Sequence, residues 1–237
     1  MKVIGIISDT HGDLPDAALE VFRGNYREDQ VVERVVVDGQ SMLGCAASDS
    51  AESDMNCFAA LEASFAADGG FAVDDADAGQ ADETFAPTPV ARIVHAGDIG
   101  AQWILDMLSD LAPLTAVLGN CDYPEYYVGS SKVGTWEAFQ ECGVRGAVLH
   151  KPVDLQVAIN GAGPTAPAYI KPAPRLRIHG HTHEAKLAHV GDGILVCPGS
   201  VSRPSGRALD PSSWFKTVAL VRVEDGGQLL SAEIVRI

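Results

Sequence analysis

Four short polar motifs each close a run of apolar, mostly β-branched residues. The runs are Val3–Ile7, Ile93–Val94, Thr115–Leu118 and Leu176–Ile178. The motifs that follow them are Asp9-Thr10-His11, Gly97-Asp98, Gly119-Asn120-Cys121-Asp122 and Gly180-His181-Thr182-His183. Apolar runs bounded by glycine and polar residues predict buried strands. The polar residues then gather at strand ends, where open α/β sheets place their sites. Six oxygen and nitrogen donors arriving in this way are a ligand set for two divalent cations.

Each motif has its own chemistry. In extended chain, residues two apart point to one side, so Asp9 and His11 can grip one ion together, and Gly12 lets the backbone turn afterwards. Asp98, at the end of Arg92-Ile93-Val94-His95, has two oxygens with which to bridge two ions. Neighbouring cations repel strongly, and a shared anion offsets that repulsion. Asn120 offers a neutral amide oxygen, and Asp122 suits the task of orienting its loop. His181 and His183 flank Thr182 and can send one imidazole to each ion. His95, His179 and His189 are expected to be structural, because a lone histidine after a buried strand is more often satisfied locally than a ligand.

The 237 residues suffice for one well-packed domain. No apolar stretch approaches the roughly 20 residues that a bilayer span requires. The N-terminal apolar run is too short for a signal peptide, and an acid closes it. The five cysteines (45, 57, 121, 142 and 197) are odd in number and contain no C-x-x-C pair, which disfavours a disulfide framework or a cysteine zinc knot and predicts a reducing, cytoplasmic setting. Of the net charge of −15, residues 24–88 carry −12, with 14 Asp/Glu against Arg27 and Arg34, so only −3 belongs to the rest. No basic patch is left for a long nucleic acid.

That acidic stretch reads as an insertion at about 24–89 within a single domain spanning 1–237. A helix-like segment, Pro15–Phe22, follows the first strand, yet the next motif strand begins only near Ala91. A plain β-α-β unit needs only about 30 residues. Inside the gap, Met55, Phe58, Leu61 and Phe65 predict a short helix near 54–67. Val31–Val37 fits either a strand or a helix, and 68–89 reads as a solvated loop rich in Gly, Ala and Asp. Beyond it, helices are expected at Ala101–Leu111 and Trp136–Cys142. Thr217–Val223 and Leu229–Ile237, joined through Asp225-Gly226-Gly227, predict a hairpin.

Taken together, the four motifs resemble the signature of calcineurin-like metallophosphoesterases. Cys121, Ser8-Asp9-Thr10-His11-Gly12 and Pro198-Gly199-Ser200 are similar to the small prokaryotic, YfcE-like phosphodiesterase branch. The resemblance covers residues 1–23 and about 90–237. It implies an α/β fold of two packed mixed β-sheets flanked by helices. It also implies that one metal takes Asp9, His11, Asp98 and His183, while the second takes Asp98, Asn120, His181 and one further histidine. His150 is the histidine between 123 and 178; it is either that ligand or a surface residue, since Lys151 follows it where the family has Gly. Cys121 stands where many relatives carry a histidine, Cys197 where the family often has Asn. The family's arginine after Pro-Gly-Ser has two candidate counterparts, Arg203 and Arg207, each of them either a phosphate contact or a surface charge.

The implied activity is hydrolysis of a small phosphodiester by a hydroxide bridging two cations. Asp98, Asn120 and Asp122 are the residues expected to serve catalysis beside the metals. Donors of mixed oxygen and nitrogen character suit Mn²⁺ first, with Ni²⁺, Fe²⁺, Zn²⁺ and Mg²⁺ as alternatives. No residue stands out as a reader of a base, a sugar or a lipid. No membrane is implied, and assembly into a homo-oligomer is left open. Two other classes compete: a non-catalytic metal-binding scaffold of the same fold, and a Cys121-dependent enzyme, for which no base-plus-orienter pattern is visible.

Overall fold

Alternation along the first strand sets the layers. In β1 (Lys2–Ile7), Val3 and Ile7 turn to one side and Ile4 and Ile6 to the other, and all four are buried. The computed structural model describes residues 1–37, 88–127, 133–160, 172–206 and 214–237. The chain divides into two units, Met1–Gly39 with Pro87–Ile237 and Gln40–Ala86, and every element below belongs to the first.

The elements after β1 run α1 (Asp16–Phe22), β2 (Val31–Val36), β3 (Arg92–His95), α2 (Gln102–Leu111), β4 (Leu114–Ala116), β5 (Trp136–Glu141) and β6 (Val144–Leu149). Then come α3 (Pro152–Asn160), β7 (Leu176–Ile178), β8 (Ala185–Val190), β9 (Gly193–Pro198), β10 (Thr217–Glu224) and β11 (Gln228–Arg236). One sheet has the order β2-β11-β10-β1-β3-β4, the other β5-β6-β7-β9-β8. In the first, β1, β3 and β4 are parallel, and β10, β11 and β2 continue antiparallel. In the second, β6, β7 and β9 are parallel, with β5 and β8 as antiparallel edges. This is the expected α/β architecture of two mixed sheets with flanking helices.

Two apolar layers hold it together. Ile4, Ile6, Val94, Val221 and Ile234 of the first sheet meet Val148, Leu176, Ile178, Ile194 and Val196 of the second. On the outer face, Val3, Ile7, Ile93, Val218 and Leu220 receive Leu19 and Phe22 of α1 and Ile104, Leu105 and Leu108 of α2. Each such side chain withdrawn from water contributes about 1.5–3 kcal/mol. Gly5 makes the α1 contact feasible: a Cβ there would lie 2.8 Å from the Phe22 ring. α3 packs beside β6. No helix among the described residues is long and apolar enough to cross a membrane.

Several expectations hold. Helices form at Asp16–Phe22 and Gln102–Leu111, and β10 and β11 make the closing hairpin. The ambiguous valine-rich stretch is a strand: β2 pairs with β11, so residues 31–36 of the expected insertion belong to the first sheet. Across that pair, Glu233, fully buried, takes Arg34 at 2.8 Å and Arg222 at 2.6 Å.

One expectation is overturned. Trp136–Cys142 is not a helix; Trp136–Glu141 is a strand, paired antiparallel with β6 from Trp136↔Leu149 to Glu141↔Val144. The spacing of Trp136, Phe139 and Cys142 mimics a helical stripe, but the next two residues form a two-residue hairpin turn, with both Cys142 (φ 50) and Gly143 (φ 89) left-handed. Phe139 then lies over Gly146, where a Cβ would come within 2.3 Å of its ring. Helix α3 has no counterpart among the helices expected from the sequence. The helix near 54–67, the loop at 68–87, Cys45, Cys57 and Arg207 lie outside the described residues.

Candidate metal centre

The loops after β1 and β3 are laced together by their backbones. Asp9 N–H donates to the Gly97 carbonyl (3.0 Å), His11 N–H to that of Asp98 (2.9 Å) and Gly12 N–H to that of Ile99 (2.9 Å). The backbone at the site is held in costly conformations. Among the described residues, six non-glycines adopt left-handed φ, and five of them are Asp9, His11, Asp98, His181 and His183. Such strain, about 1–3 kcal/mol each, persists where surrounding structure over-determines it and clusters at functional sites.

Donor atoms of Asp9, His11, Asp98 and His183 all lie within 4.8 Å of one another. His183 Nδ1 sits 2.7 Å from the Arg203 carbonyl, which only accepts, so this nitrogen bears the hydrogen. The other nitrogen, Nε2, therefore turns a lone pair toward Asp9 Oδ1 and His11 Nε2, both at 3.2 Å. Asp9 Oδ1 is buried and has no hydrogen-bond partner, whereas Oδ2 accepts from the Ser8 hydroxyl (2.5 Å) and the His181 N–H (3.1 Å). Lone pairs facing one another in a buried site need a proton or a cation between them. The crowding pushes the His183 pKa up, first through Asp9.

A second group repeats the logic on the other side of Asp98. His150 Nδ1 donates to the Ala96 carbonyl (2.8 Å), leaving Nε2 to face Asn120 Oδ1 (3.1 Å) and Asp98 Oδ1 (3.5 Å). His181 stacks edge-on to His150 at 5.1 Å. Asp98 thus offers Oδ1 to this group and Oδ2, 3.8 Å from His11 Nε2, to the first. Burial works to raise the Asp98 pKa, but His150 and the Cys121 N–H overcome it and hold the carboxyl well below the usual range. His150, which burial alone would lower, is raised by Asp98 and by the Ala96 carbonyl. His11 and His181 are lowered, chiefly by burial. Separations of 3.2–3.8 Å are near those of adjacent ligands on a divalent ion bound at roughly 2.1 Å. The donor set fits two such ions.

The structure brings all seven expected ligands together and separates Asp122 from them. Its carboxylate accepts the N–H groups of Ile99 (3.1 Å), Gly100 (3.0 Å) and Gly119 (2.8 Å), and the Tyr127 hydroxyl at 2.5 Å. Asp122 therefore clamps the second motif loop to the third rather than touching an ion, which makes it a positioning residue. Its partner Tyr127 has a raised pKa, through burial and then Asp122.

Other residues hold the motif loops, and the first of them, His95, is structural, as expected. His95, fully buried, accepts the Gly97 N–H at Nδ1 (3.2 Å), so its Nε2 hydrogen goes to Thr10 Oγ1 (3.0 Å), whose own hydrogen reaches the Ile99 carbonyl (2.7 Å). Burial takes its pKa down to about 4, so the ring is neutral. Ser200 and Ser202 hydroxyls both donate to the Asp9 carbonyl at 2.8 Å. Ser8, Thr10 and Ser200 lie inside quoted motifs; nothing in their spacing marks which atom each one holds. His179 is buried and bonded to the Gly180 carbonyl (2.9 Å), as a structural histidine should be, while His189 is exposed. Arg203 is exposed, and its charge adds to the burial that lowers His11.

Comparison with known proteins places the chain in a family. The model of the calcineurin-like phosphoesterase superfamily domain matches residues 76–226. A probable metallophosphoesterase from Methanothermobacter thermautotrophicus is 32% identical over 149 residues, 62% of this chain and 76% of that protein. Among solved structures, Vacuolar Protein Sorting 29 from Cryptosporidium parvum aligns over 100% of this chain and 91% of its own, with 12% identity and a TM-score of 0.54. Yfce, a phosphoesterase from E. coli, aligns over 96% of each chain, with 16% identity and a TM-score of 0.43. With a family match over more than half its length, this chain belongs to the calcineurin-like phosphoesterase superfamily.

Proposed function

We propose that the chain is a dinuclear metal-dependent phosphodiesterase acting on a small phosphodiester in the cytoplasm. The observation that carries this reading is the pair of lone-pair clusters on either side of Asp98. One ion is assigned Asp9, His11, Asp98 and His183, the other Asp98, Asn120, His150 and His181. Mn²⁺ is the preferred ion, on the mixed oxygen and nitrogen donors. When bound, two such ions supply a deprotonated water as nucleophile and offset charge on the phosphoryl oxygens. The protein's own part is to hold the donors. The Arg203 carbonyl fixes the His183 tautomer, the Ala96 carbonyl fixes that of His150, and Asp122 sets the Asn120 loop. A Cβ on Gly180 would lie 1.9 Å from Ser8 Oγ and 2.8 Å from Asp9 Oδ2, so only glycine lets the His181 turn approach Asp9.

Burial and Asp98 raise the Cys121 pKa, which keeps the thiol protonated near neutral pH and argues against a cysteine nucleophile. Turnover is what separates this reading from a metal-binding scaffold of the same fold, which would hold the same donors. The net charge of −15 argues against long nucleic acid as substrate. The test is hydrolysis of bis(p-nitrophenyl) phosphate with and without chelator, alongside metal content. Turnover restored by Mn²⁺ after chelation is expected. Activity untouched by exhaustive chelation, or absent with Mn²⁺, Ni²⁺, Fe²⁺, Zn²⁺ and Mg²⁺ alike, would sink the proposal.

A further inference from the structure

The loop that carries Asn120 runs on into Cys121-Asp122-Tyr123-Pro124-Glu125-Tyr126-Tyr127. Its three tyrosines have different fates. Tyr127 is buried, its hydroxyl bonded to Asp122 and to the Gly100 N–H (3.1 Å). Tyr123 and Tyr126 are 58% and 64% exposed, and neither belongs to an apolar cluster of the core. They meet instead edge to face, with ring centroids 5.5 Å apart and planes at 66°.

This pair sits on a built turn. Asp122, next to Tyr123 in the chain, is anchored by three backbone N–H groups, and the Tyr126 N–H closes onto the Tyr123 carbonyl at 2.9 Å. Pro124 opens the turn with a fixed φ. Two large rings are thus presented to solvent at little further entropic cost, on the segment that supplies Asn120. Three residues of chain span at most about 11 Å, so the Tyr123 backbone lies within that distance of the Asn120 backbone. An organic group esterified to a phosphate at the metal centre falls in the same range.

We propose that Tyr123 and Tyr126 form the subsite for a planar aromatic group of the substrate, so that the phosphodiester carries an aryl or nucleobase moiety. One ring offers a face for stacking and the other an edge, the two arrangements aromatic groups prefer. Stacking reads any π-face without a hydrogen-bond code. Glu125, between the two rings in sequence, adds a negative charge and disfavours a polyanionic strand over a single small ester. This subsite rests on the phosphoesterase reading of the cluster.

The experiment measures binding of three phosphates to the Mn²⁺-loaded protein by calorimetry: adenosine monophosphate, phenyl phosphate and methyl phosphate. Wild type is expected to hold one or both aromatic compounds more tightly than methyl phosphate. A preference for both indicates any aryl group, and a preference for the nucleotide alone indicates a nucleobase. Tyr123→Ala with Tyr126→Ala should erase that preference, weakening the aromatic ligands roughly tenfold or more while leaving metal content and methyl phosphate affinity as they were. Tyr123→Phe with Tyr126→Phe should retain it. Equal affinity for all three ligands in wild type, or a preference that survives the alanine pair, overturns the subsite. Aromatic preference in a protein that hydrolyses no phosphodiester overturns the phosphodiesterase reading and leaves the subsite standing.

Discussion

At Asp98 and Asp122, two carboxylates 24 positions apart in the chain perform separate tasks. Asp98 presents one oxygen to each donor group, and Asp122 spends both on backbone N–H groups. Asp98→Asn is therefore expected to lower bound metal from two ions per chain and to reduce kcat by roughly a hundredfold or more, a figure taken from loss of charge stabilisation at a transition state. Asp122→Asn should keep both ions while losing about 1–3 kcal/mol of stability to unpaired N–H groups. Metal analysis and urea unfolding on both variants check this; an Asp98→Asn protein with two ions and full rate would refute the bridging role. His95 yields a pH prediction. Its folded pKa of about 4 lies below the ordinary 6.5, so between those values the unfolded chain binds a proton that the folded chain refuses. Stability at this position is complete above pH 6.5 and falls on acidification, by up to about 1.4 kcal/mol per unit. Urea unfolding of metal-free protein at pH 7 and pH 5 should show a smaller loss in His95→Gln than in wild type.

Among the elements, β1 and α1 are joined through one missing side chain. Phe22 lies flat where a Gly5 Cβ would sit, at 2.8 Å, with Val90 Cγ1 at 3.1 Å. Gly5→Ala should force the ring or the helix aside and cost about 1–3 kcal/mol, the usual range for overpacking. Because Gly5 belongs to the strand body rather than the motif loop, metal stoichiometry should be unchanged. A lowered Tm with two ions still bound is the expected result, and an unchanged Tm would show that α1 is not locked to β1 by this contact. The β5–β6 hairpin teaches the complementary lesson. A stripe at i, i+3 and i+6 fits a helix by periodicity, yet the left-handed pair Cys142-Gly143 and the space above Gly146 make it a strand.

At the scale of the whole molecule, everything described at the site belongs to one of the chain's two units. Both sheets, both apolar layers and all seven candidate ligands lie in Met1–Gly39 and Pro87–Ile237. Closure entropy grows only logarithmically with loop length, so long surface insertions cost little. Replacing residues 40–86 with a short Gly/Ser linker is expected to leave a folded protein that binds two ions and hydrolyses a small activated diester. β2 must be retained, since it pairs with β11 and its Arg34 is, with Arg222, one of two arginines that meet the buried Glu233. A deletion protein that folds and loads metal but has lost turnover would make the segment part of the active site instead.

The sequence by itself determined the strand ends and the donors at them, because a buried strand must be apolar until its last residue and a ligand must be polar just beyond it. Six of the candidate ligands were legible on that ground, as were helices at 16–22 and 102–111 and the closing hairpin. Pairing was not legible, since it joins residues distant in the chain. Only the fold shows that Val31–Val36 completes the first sheet and that Trp136–Glu141 lies beside β6. Only the fold brings His150, an ambiguous histidine followed by Lys, to 3.1 Å from Asn120. It also turns His95 into a buried link to Thr10 and Asp122 into a clamp. The residue type states which bonds a side chain is able to make, and tertiary packing, by removing water and leaving one set of partners in reach, decides which it does make.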